Sequence, residues 1–462
     1  MNIPMLVDLA HDNPDWQAFA VAQFFALFNG ISFIISCRED KIRDVNIKET
    51  FILTSLSWLA LTCFASLPLF LSELDLSYTD AFFEAMSGLT TTGATIITDL
   101  EAAPPGVLVW RAILEWIGGI GIIVMAIAIL PFLRIGGMQL FRTESSDKGD
   151  KIMPRAKQLS SAIAIIYVCL TLFCTIILYA LGMNLFDAIL HAMTTVSTGG
   201  FSTHNQSIGF FNSVGIELTV IIFILISSIP FPVHIKILRG KWHHLFTDHQ
   251  VQFFFSVLVL FICLMTGWLV MHESYEFETA LRRAAFNITS VMTTTGFTSY
   301  DYNLWGEFAL TIMFLISVIG GCTGSTTGGI KIFRYQVLYK TARYQILKLI
   351  QPHGVFRFQY NGKSVSDAVS SAVMSFFILF CLCFFVVAIL LALTGLDFVT
   401  SMSGAASALA NLGPGLGDII GPAGNYATIN DVAKWILSFA MLIGRLEIFT
   451  IFVLISASFW RD

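Results

Sequence analysis

The sequence predicts an all-α integral membrane fold: four pseudo-symmetric repeats of span, re-entrant loop and span about one axis, plus one extra N-terminal span. Three observations predict it. The chain has apolar stretches of membrane-crossing length, Lys and Arg are confined to alternate connections, and a Gly/Thr/Ser stretch recurs about every 100 residues.

The 462 residues are 56% hydrophobic and 12% charged, with a mean hydropathy of +0.76. A soluble protein carries about 25% charged residues, so most of this chain does not meet water. The net charge of -5 and pI near 6.0 give no sign of nucleic-acid binding. A transmembrane helix needs about 20 mostly apolar residues. Nine stretches qualify, near 16–37, 50–72, 107–134, 159–182, 208–236, 251–271, 306–332, 370–394 and 430–459. The first lacks a basic start and a small-residue cleavage site, so it does not read as a signal peptide. All eight cysteines lie in or beside apolar stretches with no CxxC pattern, and read as small buried apolar residues.

Lys and Arg retained on one side mark the cytoplasm. They crowd the loops 38–49 (Arg38, Lys41, Arg43, Lys48), 134–158 (Arg134, Arg142, Lys148, Lys151, Arg155, Lys157), 236–250 (Lys236, Arg239, Lys241) and 331–363, the richest. The alternate connections are nearly free of them. Nine spans then place the N-terminus outside and the C-terminus inside.

The outer connections between spans 2–3, 4–5, 6–7 and 8–9 share one pattern. Each has an apolar stretch too short to cross, then a Thr/Ser/Gly run: FFEAMSGLTTTGAT (82–95), ILHAMTTVSTGGFS (189–202), AFNITSVMTTTGFT (285–298) and GAASALANLGPGLG (404–417). Aligned without gaps, they put Gly93, Gly200, Gly296 and Gly415 at one position. Ser87, Thr194 and Ser290 align six residues upstream, with Leu409 in the fourth. The expected organisation is an N-terminal extra span over 1–47 and repeats over 48–134, 159–236, 251–350 and 364–462, the third with a broken second span and a cytosolic extension.

Irregular backbone at membrane depth is tolerated only where it lines water or is buried in protein. Four such loops in register predict re-entrant pore loops around one pore. Half-helices ending at the centre present negative dipole ends to a cation. Glycine permits the backbone angles that turn carbonyls inward, and rings of carbonyls replace the hydration shell of potassium. The candidate filter residues are Thr91, Thr92, Gly93, Thr198, Gly199, Gly200, Thr294, Thr295, Gly296, Gly413, Pro414 and Gly415. Close packing of small residues is the plainer explanation for any one stretch, but four in register make it inadequate.

These residues resemble the Trk/Ktr/HKT superfamily, and within it the bacterial TrkH-type membrane subunit. The resemblance runs from about residue 48 to the end. It rests on TTTGAT (90–95), STGGF (197–201), TTTGFT (293–298), NLGPGLG (411–417), EWIGGIGIIVMAIAILP (115–131), GGCTGSTTGGIKIFR (320–334) and GRLEIFTIFVLISASFWR (444–461). Such chains usually have two spans before the first repeat, whereas one is found here. The resemblance implies potassium uptake across the bacterial cytoplasmic (inner) membrane by a homodimer with one pore per subunit. It also implies a cytosolic, TrkA-like ring of nucleotide-binding regulatory subunits, with K+ as transported ion and no cofactor. Glycine at all four filter positions resembles potassium-selective members; members with serine at the first position, here Gly93, tend to pass sodium.

The seventh span is broken by Gly320, Gly321, Cys322, Thr323, Gly324, Ser325, Thr326, Thr327, Gly328 and Gly329, a composition that makes poor helix. Arg445 in the ninth span lies at similar depth, where a guanidinium needs a partner or water. One expectation is a constriction below the filter whose carbonyls Arg445 holds, and the resemblance implies a gating loop with a facing arginine. The other is a fold-locking pair of Arg445 with Glu447 or Glu115. Arg111 and Glu115, four apart, predict a helix-face pair. Asp80 and Asp187 read as N-terminal caps rather than ion-attracting residues. His191 reads as packing. The basic stretch 331–363 is expected to dock the regulator or to rest on anionic lipid.

A secondary transporter with midplane sites, an ion-coupled cation symporter in particular, is the competing class, but it usually has inverted or paired repeats. No G-x-S-x-G, H-E-x-x-H, P-loop lysine or Rossmann fingerprint is present, which argues against an enzyme.

Overall fold

The computed structural model describes residues 1–38, 46–128, 152–354, 359–360, 363–364 and 366–461. The expected inner-loop bases Lys41, Arg43, Arg134, Arg142, Lys148, Lys151 and Arg357 lie outside the described residues, as does the third span beyond 128.

The chain runs α1 Asn2–Ala10, α2 Trp16–Ser36, α3 Ile47–Phe70, α4 Tyr78–Leu89, α5 Pro105–Ala128, α6 Ile152–Ala180, α7 Leu185–Val196, α8 Val214–Ser228, α9 Phe231–Leu238 and α10 His249–His272. It continues through α11 Phe277–Met292, α12 Gly306–Ser317, α13 Ile332–Ile350, α14 Asp367–Leu393, α15 Phe398–Ala410, α16 Asp431–Arg445 and α17 Ile448–Ile455. Shorter helical turns join them. The strands among the described residues are the two-residue pieces Gln359–Tyr360 and Lys363–Ser364, paired antiparallel.

Among the described residues, six helices, α2, α3, α5, α6, α10 and α14, are long and apolar enough to cross a membrane, and up to eight spans result if two bent pairs count as one each. The stretches 208–236 and 430–459, expected to be continuous, are those bent pairs. α8 and α9 meet at 96° and α16 and α17 at 109°. Pro230 sits at the first break and has no N–H to continue the ladder. At the second, Glu447 has a φ of 62°, outside the helical range. The expected break in the seventh span is present: α12 stops at Ser317, and a non-helical stretch leads to α13.

The long helices carry their apolar residues outward. On α2, Phe24, Phe28, Ile31 and Ile35 are all more than half exposed, as a lipid-facing surface requires. Cys37, Cys169, Cys263 and Cys381 are exposed for the same reason, so the expectation of burial holds only for Cys174, Cys322 and Cys383 and, in part, Cys63.

The short helices form the centre. Every residue of α4 from Ala81 to Leu89 is buried, and so is every residue of α15 from Ser403 to Ala410. Each short helix packs between flanking spans: α4 on α3 and α5, α7 on α6 and α8, α11 on α10 and α12, α15 on α14 and α16. Contacts α5 to α7, α8 to α11, α12 to α15 and α16 to α4 then close a cycle.

Three short helices begin with the same device. Ser77, Asn184 and Asp397 accept the N–H of the residue three on, namely Asp80, Asp187 and Thr400. Asp80 and Asp187 are therefore the third helical residues, not the caps. They return the bond, taking the Ser77 hydroxyl at 2.8 Å and the Asn184 amide at 2.7 Å. The α1 end of the chain joins this side, where the Gly106 N–H reaches Asp8 at 2.6 Å.

Candidate functional site

All four short helices end in one way. The chain leaves the helix through a residue of positive φ, Thr91 (53°), Thr198 (53°), Thr294 (56°) and Asn411 (56°). A β-branched residue there is a genuine outlier, so three threonines in it mark a conformation that the surroundings impose. The next N–H turns back to the helix: Thr92 to Ser87 O, Gly199 to Thr194 O, Thr295 to Ser290 O and Leu412 to Ser407 O, at 2.8–3.0 Å.

Two residues past each of these outliers comes a glycine of positive φ: Gly93 (79°), Gly200 (89°), Gly296 (84°) and Gly413 (106°). The fourth is Gly413, not Gly415. The ungapped alignment was two residues out, because NLGPGLG offers two glycines and only backbone geometry tells them apart. Gly415 has no positive φ and packs on Ile420 and Ser403. The corrected register also puts Ser407 opposite Ser87, Thr194 and Ser290, in place of the apolar Leu409. The fourth helix therefore keeps the shared polar position.

The four glycines interlock. A Cβ on Gly93 would collide with the carbonyl of Gly199, one on Gly200 with that of Thr295, one on Gly296 with that of Leu412, and one on Gly413 with that of Thr92. Each glycine thus abuts the carbonyl that precedes the next glycine, and the fourth returns to the first. Four helix C-termini and a closed ring of backbone meet at one place.

The stretch 320–329 lies against this ring. The Gly328 N–H donates to Thr294 Oγ1 (2.6 Å), the Gly329 N–H to the Ala410 carbonyl (2.8 Å), and Thr198 Oγ1 to Thr326 Oγ1 (3.1 Å). Outside it, the N–H groups of Cys322 and Thr326 bond the carbonyls of Ser228 and Ser227, and that of Phe231 bonds Gly324, so the α8–α9 break clasps the loop.

Arg445 is buried and donates to the carbonyls of Thr326 (3.2 Å) and Gly118 (3.4 Å). The fold-locking alternative fails on one count, since the Glu447 carboxylate is taken by Arg334 at 2.6 Å. Lys331, which the sequence placed only in a cytosolic basic stretch, is buried with its ammonium on the Thr327 and Gly328 carbonyls and the Thr327 hydroxyl. Asn411 was also missed as a contact residue: its amide bridges Thr92 Oγ1 (3.1 Å) and the Met441 carbonyl (2.9 Å).

Behind the first two loops lies a buried charge cluster. Arg111 pairs with Glu84 at 2.7 Å, not with Glu115 as the helical spacing predicted, and its second nitrogen donates to the Ser202 carbonyl at 3.0 Å. Glu84 also accepts the Thr95 hydroxyl (3.0 Å) and the Ile96 N–H (2.9 Å). Glu115 accepts the Phe201 N–H on both oxygens at 3.2 Å. Sequence spacing favoured the i, i+4 pair, whereas a carboxylate from the neighbouring short helix meets Arg111 first. Glu217, expected to be buried against a neighbour, pairs with Arg282 at 2.7 Å.

At the outer ends of the loops, Asp187 accepts Thr203 (2.6 Å) and His204 (3.1 Å). Burial pushes this carboxyl up, but the His204 and Thr203 bonds outweigh it and hold it below the ordinary carboxylate range. His191 is held on both ring nitrogens, by the Asp187 carbonyl and the Ser202 hydroxyl, each at 2.9 Å, as packing would have it. Among the described residues no group of His, Cys, Asp and Glu has the makings of a metal site. Backbone carbonyls and hydroxyls are the oxygen donors gathered at the ring.

Lipid-facing long helices around a buried backbone ring define a multi-pass membrane transport protein. Residues 17–461 match the family described as TrkH, cation transport protein. The chain is similar to the Trk system potassium uptake protein TrkI of Halomonas elongata, with 45% identity covering 100% of this chain and 94% of that one. It is similar to TrkH of Escherichia coli K12 at 38% identity, covering 100% and 96%. The crystal structure of the potassium transporter TrkH from Vibrio parahaemolyticus superposes with a TM-score of 0.91 at 36% identity, covering 99% of this chain and 95% of that one. The chain belongs to the TrkH cation transport protein family, is not an enzyme, and resides in the inner membrane.

Removing one partner of a buried ion pair costs about 3–5 kcal/mol because the other charge is stranded. Arg111→Met is therefore expected to lower the melting temperature of the detergent-purified protein clearly, and adding Glu84→Gln to recover much of the loss. Equal melting of native and Arg111→Met protein would show that the cluster does not hold these loops.

Proposed function

We propose that this chain takes up potassium through a selectivity filter formed by the four loops, above a gate formed by residues 320–329. The four units 48–134, 159–236, 251–350 and 364–462 are its walls, each contributing a re-entrant pore loop. The observation that carries the reading is the closed ring in which each of Gly93, Gly200, Gly296 and Gly413 abuts the next loop's carbonyl. Carbonyl rings replace a hydration shell, and the helix C-termini converging there favour a cation. The names of the similar proteins, Trk system potassium uptake proteins, supply the ion. The filter residues are Thr91, Thr92 and Gly93, Thr198, Gly199 and Gly200, Thr294, Thr295 and Gly296, and Asn411, Leu412 and Gly413.

The gate reading rests on the loop's contacts with Thr198, Thr294 and Ala410 on one side and Arg445 and Lys331 on the other. Arg445 holds the closed arrangement through the Thr326 carbonyl. α13 continues directly from the loop, so a cytosolic nucleotide-binding subunit docked on this basic helix has a mechanical route to it. The functional unit is a homodimer with one pathway per subunit.

Flux into proteoliposomes under potassium or sodium gradients tests both parts. Native protein is expected to prefer potassium. Gly93→Ser is expected to lose that preference, because a side chain at a φ of 79° against the Gly199 carbonyl must displace the ring. Unchanged selectivity would contradict the filter. Arg445→Ala is expected to raise potassium flux several-fold without the regulatory subunit, and an unchanged leak would remove Arg445 from the gate.

A further inference from the structure

We propose that the ion pair between Arg334 and Glu447 is a second hold on the gate: it ties the root of the loop 320–329 to the frame of the filter, and a pull on α13 opens the pathway by breaking it. The inference rests on the gate reading above and adds two positioning residues to it.

The root of the loop is zipped. Ile319 and Ile330 form a parallel bridge. The Gly320 N–H donates to the Ile330 carbonyl (3.0 Å), the Ile330 N–H to that of Val318 (2.9 Å) and the Ile332 N–H to that of Gly321 (3.1 Å). A Cβ on Gly320 would collide with the Gly328 carbonyl. The two ends of the loop and the first turn of α13 therefore move as one body. Arg334 lies in that turn and is buried.

The corner 444–447 is fixed to the filter. Gly444 abuts the Leu409 carbonyl at the end of α15, where a Cβ would collide. Arg445 reaches the Thr326 carbonyl on the loop and the Gly118 carbonyl on α5, and Gly118 abuts the Leu89 carbonyl at the end of α4. At Glu447 the chain takes a φ of 62°, and α17 leaves α16 at 109°. A non-glycine residue keeps such a conformation only where its surroundings over-determine it. Here they include the Arg334 guanidinium, 2.6 Å from the carboxylate and stacked on Phe376 of α14 at 3.7 Å from the ring centroid.

One corner thus grips one body at two points, Arg445 within the loop and Glu447 at its root. The two grips differ in what they join. Arg445 bonds carbonyls of the loop and of α5, whereas Glu447 holds the helix that runs on from the loop. Lys331 lines the same cavity as the pair, but its ammonium lies on the Thr327 and Gly328 carbonyls and the Thr327 hydroxyl. Because Arg334 is part of α13, a displacement of that helix loads the Glu447 grip first and reaches the loop through the zipped root.

The test is potassium flux into proteoliposomes without the regulatory subunit, for native protein and the double variant Arg334→Met/Glu447→Met, with melting temperatures in detergent. Replacing both partners of a buried pair by apolar residues leaves stability unchanged or raised. The double variant is therefore expected to melt no lower than native protein and to keep its preference for potassium over sodium. Its leak is expected to rise roughly tenfold, the shift that losing a charged hydrogen bond gives a two-state balance. A pair that only satisfied its own charges would return a native leak along with native melting, and that result overturns the proposal. A raised leak with lost potassium preference also overturns it, because the effect would then lie in the filter. If the double variant does not assemble, Arg334→Lys carries the test. Lysine keeps the charge but not the planar fork that both pairs and stacks. A raised leak is again expected, and a native leak overturns the proposal. Arg445→Ala run beside them separates the two readings. A raised leak there with an unmoved double variant sinks only this inference, whereas an unchanged leak in both sinks the gate itself.

Discussion

Each of four glycines presses its bare Cα face against a carbonyl of the next loop, and the architecture follows from keeping that ring closed. No side chain can occupy those faces, and no single loop can hold the arrangement alone. The threonines that precede the glycines sit at positive φ, a conformation costing about 1–3 kcal/mol each. That strain persists because short helices, almost wholly buried, deliver every loop to the same depth. The long spans press these helices together and turn their apolar faces to lipid.

The ring also explains where the chain places its buried charge. Arg111 and Glu84, Glu115, Arg334 and Glu447, Arg445 and Lys331 all lie inside the helical shell, where ionised groups are expensive. They sit in two layers. One backs the first two loops of the ring, and the other grips the loop of residues 320–329. A protein that only had to fold in a membrane would gain by replacing these groups with apolar ones. Their retention at these two layers is coherent with a path that must attract a cation and also be closed.

Much of this was legible in the sequence, because hydropathy, the alternation of Lys and Arg and the recurrence of Thr and Gly are local properties. The short helices and the break in the seventh span follow from them, and Arg445 could be placed at the depth of that break, although its partner could not be chosen between the loop carbonyls and a buried acid. What was not legible depended on three-dimensional neighbours. NLGPGLG contains two glycines, and only the positive φ of Asn411 and Gly413 shows that the fourth loop begins two residues earlier than an ungapped alignment puts it. Arg111 and Glu115 share a helix face, yet Glu84, 27 residues upstream of Arg111, reaches the guanidinium first. Lys331 reads as one more base at the start of a cytosolic helix, although its stem folds back onto the loop. The bend at Glu447 was not legible either: Gly444, three residues before it, lies within α16, and the carboxylate of Glu447 pairs with Arg334, a residue 113 positions away in the chain.

The central claim is that the ring of Gly93, Gly200, Gly296 and Gly413 with its neighbouring carbonyls holds the transported cation. Rubidium scatters anomalously and substitutes for potassium, so an anomalous difference map from crystals of the whole protein soaked in rubidium tests it directly. The account predicts peaks on the axis of the ring, each within coordinating distance of carbonyls from all four loops. Rubidium bound elsewhere among the spans, with the ring empty, would contradict it.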